Sequence, residues 1–356
     1  MRIAVRPALV ILLLAGAAGC GGSGAAATNP SIPPGSVTSY DLSAPEEVAR
    51  GLDVPWGLAF LPGGDALIGE RGTGRILRLT PGGEPREIRV VQGVEASGEG
   101  GLLGLAVSPG NLVYAYLTTA EDNRIVRFDL SGGEQELVFG GIARSSFHNG
   151  GRIAFGPDGM LYAGTGDAGD TASSQDPASP NGKILRLDPD GKPPRDNPIS
   201  GSPVYSLGHR NVQGLAWDAG NNLWATEFGQ NDVDEINEIR PGRNYGWPEV
   251  EGEGDTAGGK FTNPAVTWQT REASPSGMAI AGGDMYVAAL RGERLWTVPF
   301  GNTGPGSPRA ELVGTYGRLR TVQVAPDGAL WLTTSNTDGR GDVRDGDDRI
   351  LRFPAR

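Results

Sequence analysis

The chain has 356 residues, of which 58 are Gly and 27 are Pro, and its formal net charge is −11. A glycine content more than twice the ordinary ~7% excludes helical bundles, because few ten-residue stretches escape Gly or Pro, and the lack of a G-X-Y period excludes collagen. The acidic balance excludes a nucleic-acid partner, which needs clustered Lys and Arg. What remains is an all-β chain with a turn every few residues.

The N-terminus reads as a targeting segment. Arg2 and Arg6 precede an apolar run from Ala8 to Ala18 that is too short to span a bilayer. Ala17-Ala-Gly-Cys20 follows, and small residues before a cysteine at this place resemble a bacterial lipoprotein signal, with Ala17 where Leu is usual. Residues 1–19 are therefore expected to be a lipoprotein signal peptide, with ordinary secretory cleavage nearby as the alternative. Cys20 is the only cysteine, so the mature chain would carry no disulfide. Residues 20–40 are small, polar and Pro-rich, and read as a flexible tether. The expected location is the cell envelope, lipid-anchored on the outer side of the cytoplasmic membrane or in the periplasm. Residues 41–356 form the remaining domain.

That domain repeats one pattern six times: a short apolar run, a Pro/Asp/Gly turn and a second run. The copies begin Gly57-Leu-Ala-Phe60, Gly104-Leu-Ala-Val107, Arg152-Ile-Ala-Phe155, Gly214-Leu-Ala-Trp217, Gly277-Met-Ala-Ile280 and Thr321-Val-Gln-Val324. Turn chemistry makes each a β-hairpin. A third run with apolar–polar alternation follows each hairpin, as in Arg75–Leu79, Lys183–Leu187 and Arg349–Phe353. A fourth precedes the next hairpin, as in Glu136–Phe139. Four strands in each of six units predict an all-β, six-bladed β-propeller with four-stranded antiparallel blades. The starts are 47, 48, 62, 63 and 44 residues apart, so units three and four carry insertions. The last unit lacks its fourth run, and Glu46–Arg50 reads as the strand that completes it and removes an open edge.

In such a blade the first strand and the second run in opposite directions beside the central channel. Residues just before the first and just after the second therefore share a rim. On that rim fall Glu99, His148, His209, Arg210, Asn211, Arg318 and Arg320, and, from the other strand, Asp167, Glu227 to Asn231 and Arg291. Both histidines of the chain lie there, while Pro-Asp-Gly and Pro-Gly-Gly turns occupy the opposite rim. The asymmetry points to an anionic ligand with a His as proton acceptor. His209 reads as structural. For His148 two readings stand open on the residues alone, a base or a bond between blades. Gly164-Thr-Gly-Asp-Ala-Gly169 has the letters of a dinucleotide fingerprint but opens no helix, and is rejected. Asp338 to Asp348 is acid-rich without EF-hand spacing, and reads as a turn.

Together, Gly98-Glu-Gly-Gly-Leu-Leu-Gly104, His148-Asn-Gly-Gly-Arg152, Gly164-Thr-Gly-Asp167, Gly208-His-Arg-Asn-Val-Gln-Gly214, Asp234-Glu-Ile-Asn237, Asn244-Tyr-Gly-Trp-Pro248 and Gly317-Arg-Leu-Arg320 resemble the soluble PQQ-dependent glucose/aldose sugar dehydrogenases, the glucose/sorbosone dehydrogenase family. The resemblance spans roughly residues 45 to 353 and implies a six-bladed propeller. By it, His148 is the general base for the C1 hydroxyl of an aldose, Asp167 orients it, and Arg210 steadies charge on the quinone. Cofactor binding falls to Glu99, Arg210, Asn211, Arg291, Arg318 and Arg320. Calcium at the cofactor would use the carbonyls of Gly229 and Gln230, and a second, structural calcium Glu235 and the Tyr245 carbonyl. The product would be a lactone and the electron acceptor a cytochrome or quinone. The chain departs from the family pattern at Glu99 (Gln in some members), at Phe228 and Gln230 (a polar residue and Pro), and at Arg291 (Lys).

Two other functions compete. A calcium-dependent lactonase on the same fold needs several carboxylates converging on a central metal, whereas this rim offers mainly Arg and a His. A non-catalytic surface lipoprotein binding glycans or proteins predicts aromatic platforms.

Overall fold

A computed structural model describes residues 39–301 and 304–356. The expected signal peptide, Cys20 and nearly all of the expected tether lie outside the described residues. Six antiparallel sheets follow one another along the chain. Their inner strands are Pro55–Phe60, Leu102–Val107, Ile153–Phe155, Val212–Trp217, Pro275–Ala281 and Leu319–Val324. These contact one another in cyclic order, and that of blade six returns to that of blade one. The expected six-bladed propeller is what forms. Blade five differs in one respect: two short strands, Gly304–Pro305 and Arg309–Glu311, share the place of one outer strand.

The ring closes as the sequence implied. Glu46–Ala49 pairs antiparallel with Ile350–Phe353, with Glu46 opposite Arg352. Tyr40 bridges Ala355, and its hydroxyl donates to the Gly328 carbonyl at 3.0 Å. The outer edge of blade six is thus covered by the start of the domain.

Six apolar clusters hold the ring, one at each interface between neighbouring blades. Between blades two and three, for example, Leu103 and Tyr116 pack with Ile153 and Phe155. The glycine that opens four of the six repeats has a reason at the same interfaces. A Cβ on Gly104 would lie 2.3 Å from the Gly151 carbonyl oxygen, and one on Gly277 would lie 2.8 Å from Thr321 Cα. Near the axis the strands approach backbone to backbone, and a side chain does not fit.

Five inner strands slip register close to the rim where they begin: Pro55/Gly57, Leu102/Leu105, Val212/Gly214, Pro275/Met278 and Leu319/Val322. Such bulges re-aim side chains. Trp56, Gln213 and Arg320, which sit within three of them, line the cavity described below. The two long units make excursions that reach this rim. That of blade three, between Leu161–Gly164 and Lys183–Leu187, holds a short 3-10 helix at Thr171–Ser174. The fully buried Lys183 ammonium pins it by donating to the carbonyls of Ser173, Ser174 and Asn181 at 2.7, 3.0 and 2.7 Å. That of blade four runs from 240 to 265. The glycine-rich run after Leu161–Gly164 opens no α-helix, so the rejected dinucleotide reading stays rejected.

Candidate active site

His148 stands just before the inner strand of blade three and Asp167 just after its partner strand. Their side chains meet, with His148 Nδ1 2.7 Å from Asp167 Oδ1. Asp167 is 1% exposed. Burial pushes its carboxyl up, but hydrogen bonds from His148, the Gly169 amide and the Trp247 indole prevail and hold it below the ordinary carboxylate range. A carboxylate on Nδ1 fixes the tautomer that carries its proton there and leaves Nε2 with a lone pair. Among the described residues nothing bonds to Nε2, and the side chain keeps 14% of its surface open. His148 adopts φ +54°, a strained conformation for a non-glycine residue. Glu99 holds it there by accepting from the His148 amide at 3.0 Å. The arrangement leaves Nε2 unbonded, as a proton acceptor requires. His209 is the contrary case: fully buried, bonded to Ser206 and Glu227 and stacked on Tyr245, it is structural.

Beside His148 the channel opens into a cavity of about 410 Å³. Its charged lining comprises Arg71, Arg291, Arg318, Arg320 and Arg340 against Glu99 and Asp338, five cations to two anions, a local charge of +3. The whole chain carries −11. Asp338 Oδ2 accepts from Arg318 at 2.9 Å and from Arg320 at 3.4 Å. Burial, which raises the Asp338 carboxyl, is outweighed by Arg320 and Arg318, and the group sits low. Glu99 pairs with Arg340 at 2.8 Å. The carboxylate that departs from the family pattern therefore brings its own counter-charge. Burial, with Arg71 and Arg318 nearby, pushes the Arg320 guanidinium down to about 9. Arg291 is exposed and has no ion pair among the described residues. Such a concentration of cations calls for an anion with several charges.

Nine buried side-chain polar atoms have no partner among the described residues, and three of them, Arg210 Nε, Asn211 Nδ2 and Gln213 Oε1, lie on this rim. A bound ligand is one way to satisfy such groups. Arg210 and Asn211 are otherwise tightly set. Glu227 accepts from both of their amides, Arg210 Nη1 donates to the Phe228 carbonyl at 3.2 Å, and Asn211 Oδ1 accepts from the Gly150 amide at 3.0 Å. The chemistry on offer is a hydrogen-bonding, cation-rich slot, with the unbonded Nε2 of His148 next to its lining residues Glu99 and Asn149.

Gly229 and Gln230 lie on the loop that leaves the second strand of blade four, next to Phe228 in the cavity wall. Glu251 Oε1 accepts from the consecutive amides of Gln230, Asn231, Asp232 and Val233 at 2.6, 2.9, 3.0 and 3.4 Å. With the amides gathered on Glu251, no donor among the described residues reaches the carbonyls of Gly229 or Gln230. These fit a hard cation. Glu235 and Tyr245 lie apart from the cavity. Glu235 is buried beside Glu227, and burial together with that neighbour pushes its carboxyl up to about 8. Two adjacent buried carboxylates fit a cation, although no group of three His, Cys, Asp or Glu side chains is assembled for a metal among the described residues. The lactonase reading, which needs such a group, finds no support here.

The structure brings Glu99, His148, Asp167, Arg210, Asn211, Arg291, Arg318 and Arg320 to one rim, as the sequence analysis expected. It adds Trp56, Arg71, Gln213, Trp247, Glu251 and Arg340, and gives Asp338, expected only as the start of an acid-rich turn, two arginine partners. Gln213 belongs to the stretch Gly208-His-Arg-Asn-Val-Gln-Gly214 and Trp247 to Asn244-Tyr-Gly-Trp-Pro248. Arg71 and Arg340 have no local mark, because what places them is the packing of blades one and six around the channel.

The glucose/sorbosone dehydrogenase family profile matches residues 52–351. Among solved structures the fold is similar to the PQQ-bound form of the aldose sugar dehydrogenase of Streptomyces coelicolor, at 55% identity over 87% of this chain and 97% of that one, with a TM-score of 0.84. The sequence is 29% identical to the aldose sugar dehydrogenase YliI of Escherichia coli (strain K12), over 81% of this chain and 89% of that protein. It is 32% identical to quinoprotein glucose dehydrogenase B of Acinetobacter calcoaceticus, over 66% of this chain and 59% of that protein. Family profile and blade count agree, and the chain belongs to the glucose/sorbosone dehydrogenase family.

Proposed function

We propose that this protein is a quinoprotein aldose sugar dehydrogenase that oxidises the C1 carbon of an aldose to the lactone, with PQQ and calcium. The observation that carries the reading is the His148–Asp167 pair at 2.7 Å beside a cavity whose lining carries +3, matched to a cofactor with three carboxylates. When bound, PQQ supplies a quinone that accepts the hydride leaving C1. The protein does the rest. His148 Nε2 takes the C1 hydroxyl proton as the C–O bond becomes C=O. Asp167 stabilises the imidazolium that results. Arg71, Arg291, Arg318, Arg320 and Arg340 offset the cofactor's carboxylates, while Asn211 Nδ2, Arg210 Nε and Gln213 Oε1 offer it hydrogen bonds. Arg210 lies where the resemblance puts the cation that steadies negative charge on the quinone oxygen. The carbonyls of Gly229 and Gln230 would hold calcium against the cofactor, and Glu235 with the Tyr245 carbonyl a structural calcium.

Reconstitution of purified protein with PQQ and calcium, followed by dye reduction across an aldose panel, tests this. Sugar-dependent reduction is expected, falling at least ~100-fold in His148→Ala. No reduction by any aldose, or full activity in that variant, would overturn it. The same proposal places the enzyme in the cell envelope, anchored through acylated Cys20 and passing electrons to a cytochrome or quinone. Radiolabelled fatty-acid incorporation that survives Cys20→Ser would remove the anchor from it.

A further inference from the structure

The excursion of blade four carries Trp247 back to blade three. The residue is 8% exposed. Its backbone is fastened on both sides of the Cα: the amide donates to the Gly208 carbonyl at 3.0 Å, and the carbonyl accepts from Gln175 Nε2 at 2.7 Å. The indole Nε1 donates to Asp167 Oδ2 at 2.9 Å. That is the oxygen His148 leaves free, since His148 and the Gly169 amide both use Oδ1, at 2.7 and 2.8 Å. On the indole face the Arg210 guanidinium lies 5.4 Å from a ring centroid, within cation–π range. One side chain therefore touches the carboxylate behind the base and the cation assigned to the cofactor.

We propose that Trp247 is a positioning residue that sets both the orientation and the proton affinity of the His148–Asp167 pair. The inference rests on His148 being the base. A carboxylate with donors on both oxygens has its plane fixed, and its charge is shared between them. Remove the indole donor and Oδ2 is buried without a partner. The charge then bears more fully on His148, whose imidazolium is stabilised, so the base holds its proton to higher pH. The carboxyl is also free to turn, so fewer molecules present Nε2 correctly. The other charged groups facing the pair are Glu99, which accepts from the His148 amide, Arg340 bound to Glu99, and Arg210 over the indole. Trp247→Phe changes the charge of none of them and keeps an aromatic ring beside Arg210.

The experiment compares wild type, Trp247→Phe, Asp167→Asn and the double variant, each loaded with PQQ and calcium. The chain has two histidines, and His209 is fully buried, so 15N-histidine NMR reads His148 directly alongside the pH profile of kcat/KM. In Trp247→Phe the His148 titration midpoint and the acid limb should both move up, by about half a pH unit, and kcat should fall by about tenfold. In the Asp167→Asn background the further change on adding Trp247→Phe should vanish. Site-specific incorporation of 5-fluorotryptophan at position 247, one of seven tryptophans, keeps the residue and strengthens its donor, so the midpoint should move down. A His148 midpoint that moves in neither protein overturns the proposal, even if kcat falls. Undiminished activity in His148→Ala would instead overturn the base on which it rests.

Discussion

Arg152 and Thr321, the two residues that stand where the other repeats open on glycine, meet across the central channel, with Arg152 Nη2 donating to Thr321 Oγ1 at 3.1 Å. Thr321 Oγ1 in turn donates to the Trp56 carbonyl at 2.7 Å, and Arg152 Nε donates to the Gln213 carbonyl at 2.8 Å. The guanidinium lies over the Trp56 ring at 4.2 Å. Arg152 thus stands between the cofactor cavity, lined by Trp56 and Gln213, and a wider funnel of about 1310 Å³ on the opposite rim, which it also lines. It has no carboxylate partner among the described residues, and burial with Arg320 nearby pushes it down to about 9.

Arg152→Met removes a buried cation beneath the anion site. PQQ affinity, measured by fluorescence titration, should fall by about tenfold. The melting temperature of the apoprotein should change by only a few degrees, because the lost hydrogen bonds are offset by the loss of an uncompensated buried charge. Wild-type affinity in the variant would mean that the guanidinium serves packing alone.

Asp338→Asn breaks the link that holds Arg318 and Arg320. Removing one partner of so buried a pair should cost about 3 kcal/mol at neutral pH. The sign with pH follows from the lowered carboxyl. A group whose folded pKa lies below its unfolded value stabilises the fold above the unfolded value, and loses that contribution as pH falls through the folded one. The gap in melting temperature between wild type and variant should therefore be full at pH 6 and close below the ordinary carboxylate range. A gap independent of pH would assign the loss to packing.

Glu251→Ala leaves four consecutive amides without their common acceptor. The Gly229–Gln230 loop should lose its set, and the calcium dissociation constant measured by calorimetry on the PQQ-loaded protein should rise by about tenfold. The variant should still fold, since Glu251 is only half-buried. An unchanged constant would take Gly229 and Gln230 out of the metal site.

Gly104→Ala places a methyl group 2.3 Å from the Gly151 carbonyl oxygen, whereas Gly63→Ala meets nothing within 4 Å. The first should lose ~2 kcal/mol or more by denaturant unfolding, as overpacking against backbone does. The second should stay within about 0.5 kcal/mol of wild type. Equal effects would detach the repeat glycine from blade packing.

Much of this protein is local, and local features are legible in sequence. A hairpin is fixed by its turn residues and a half-buried strand by its alternation, so six copies disclosed six blades. Glu46–Arg50 could be matched to the incomplete last blade because a missing strand leaves an edge that has to be covered. The rim was legible too, since strand direction alone puts His148, Asp167 and Arg210 at the same end. Tertiary structure decided the rest. Trp247 reaches Asp167, Glu251 reaches Gln230 and Arg340 reaches Glu99 across 80, 21 and 241 positions of chain. No turn rule or periodicity records such separations, because they are set by how blades and excursions pack around the axis. The repeat glycine shows the division most plainly. Its recurrence is written in the sequence, but its cause is the close approach of neighbouring backbones, which exists only once the ring has closed.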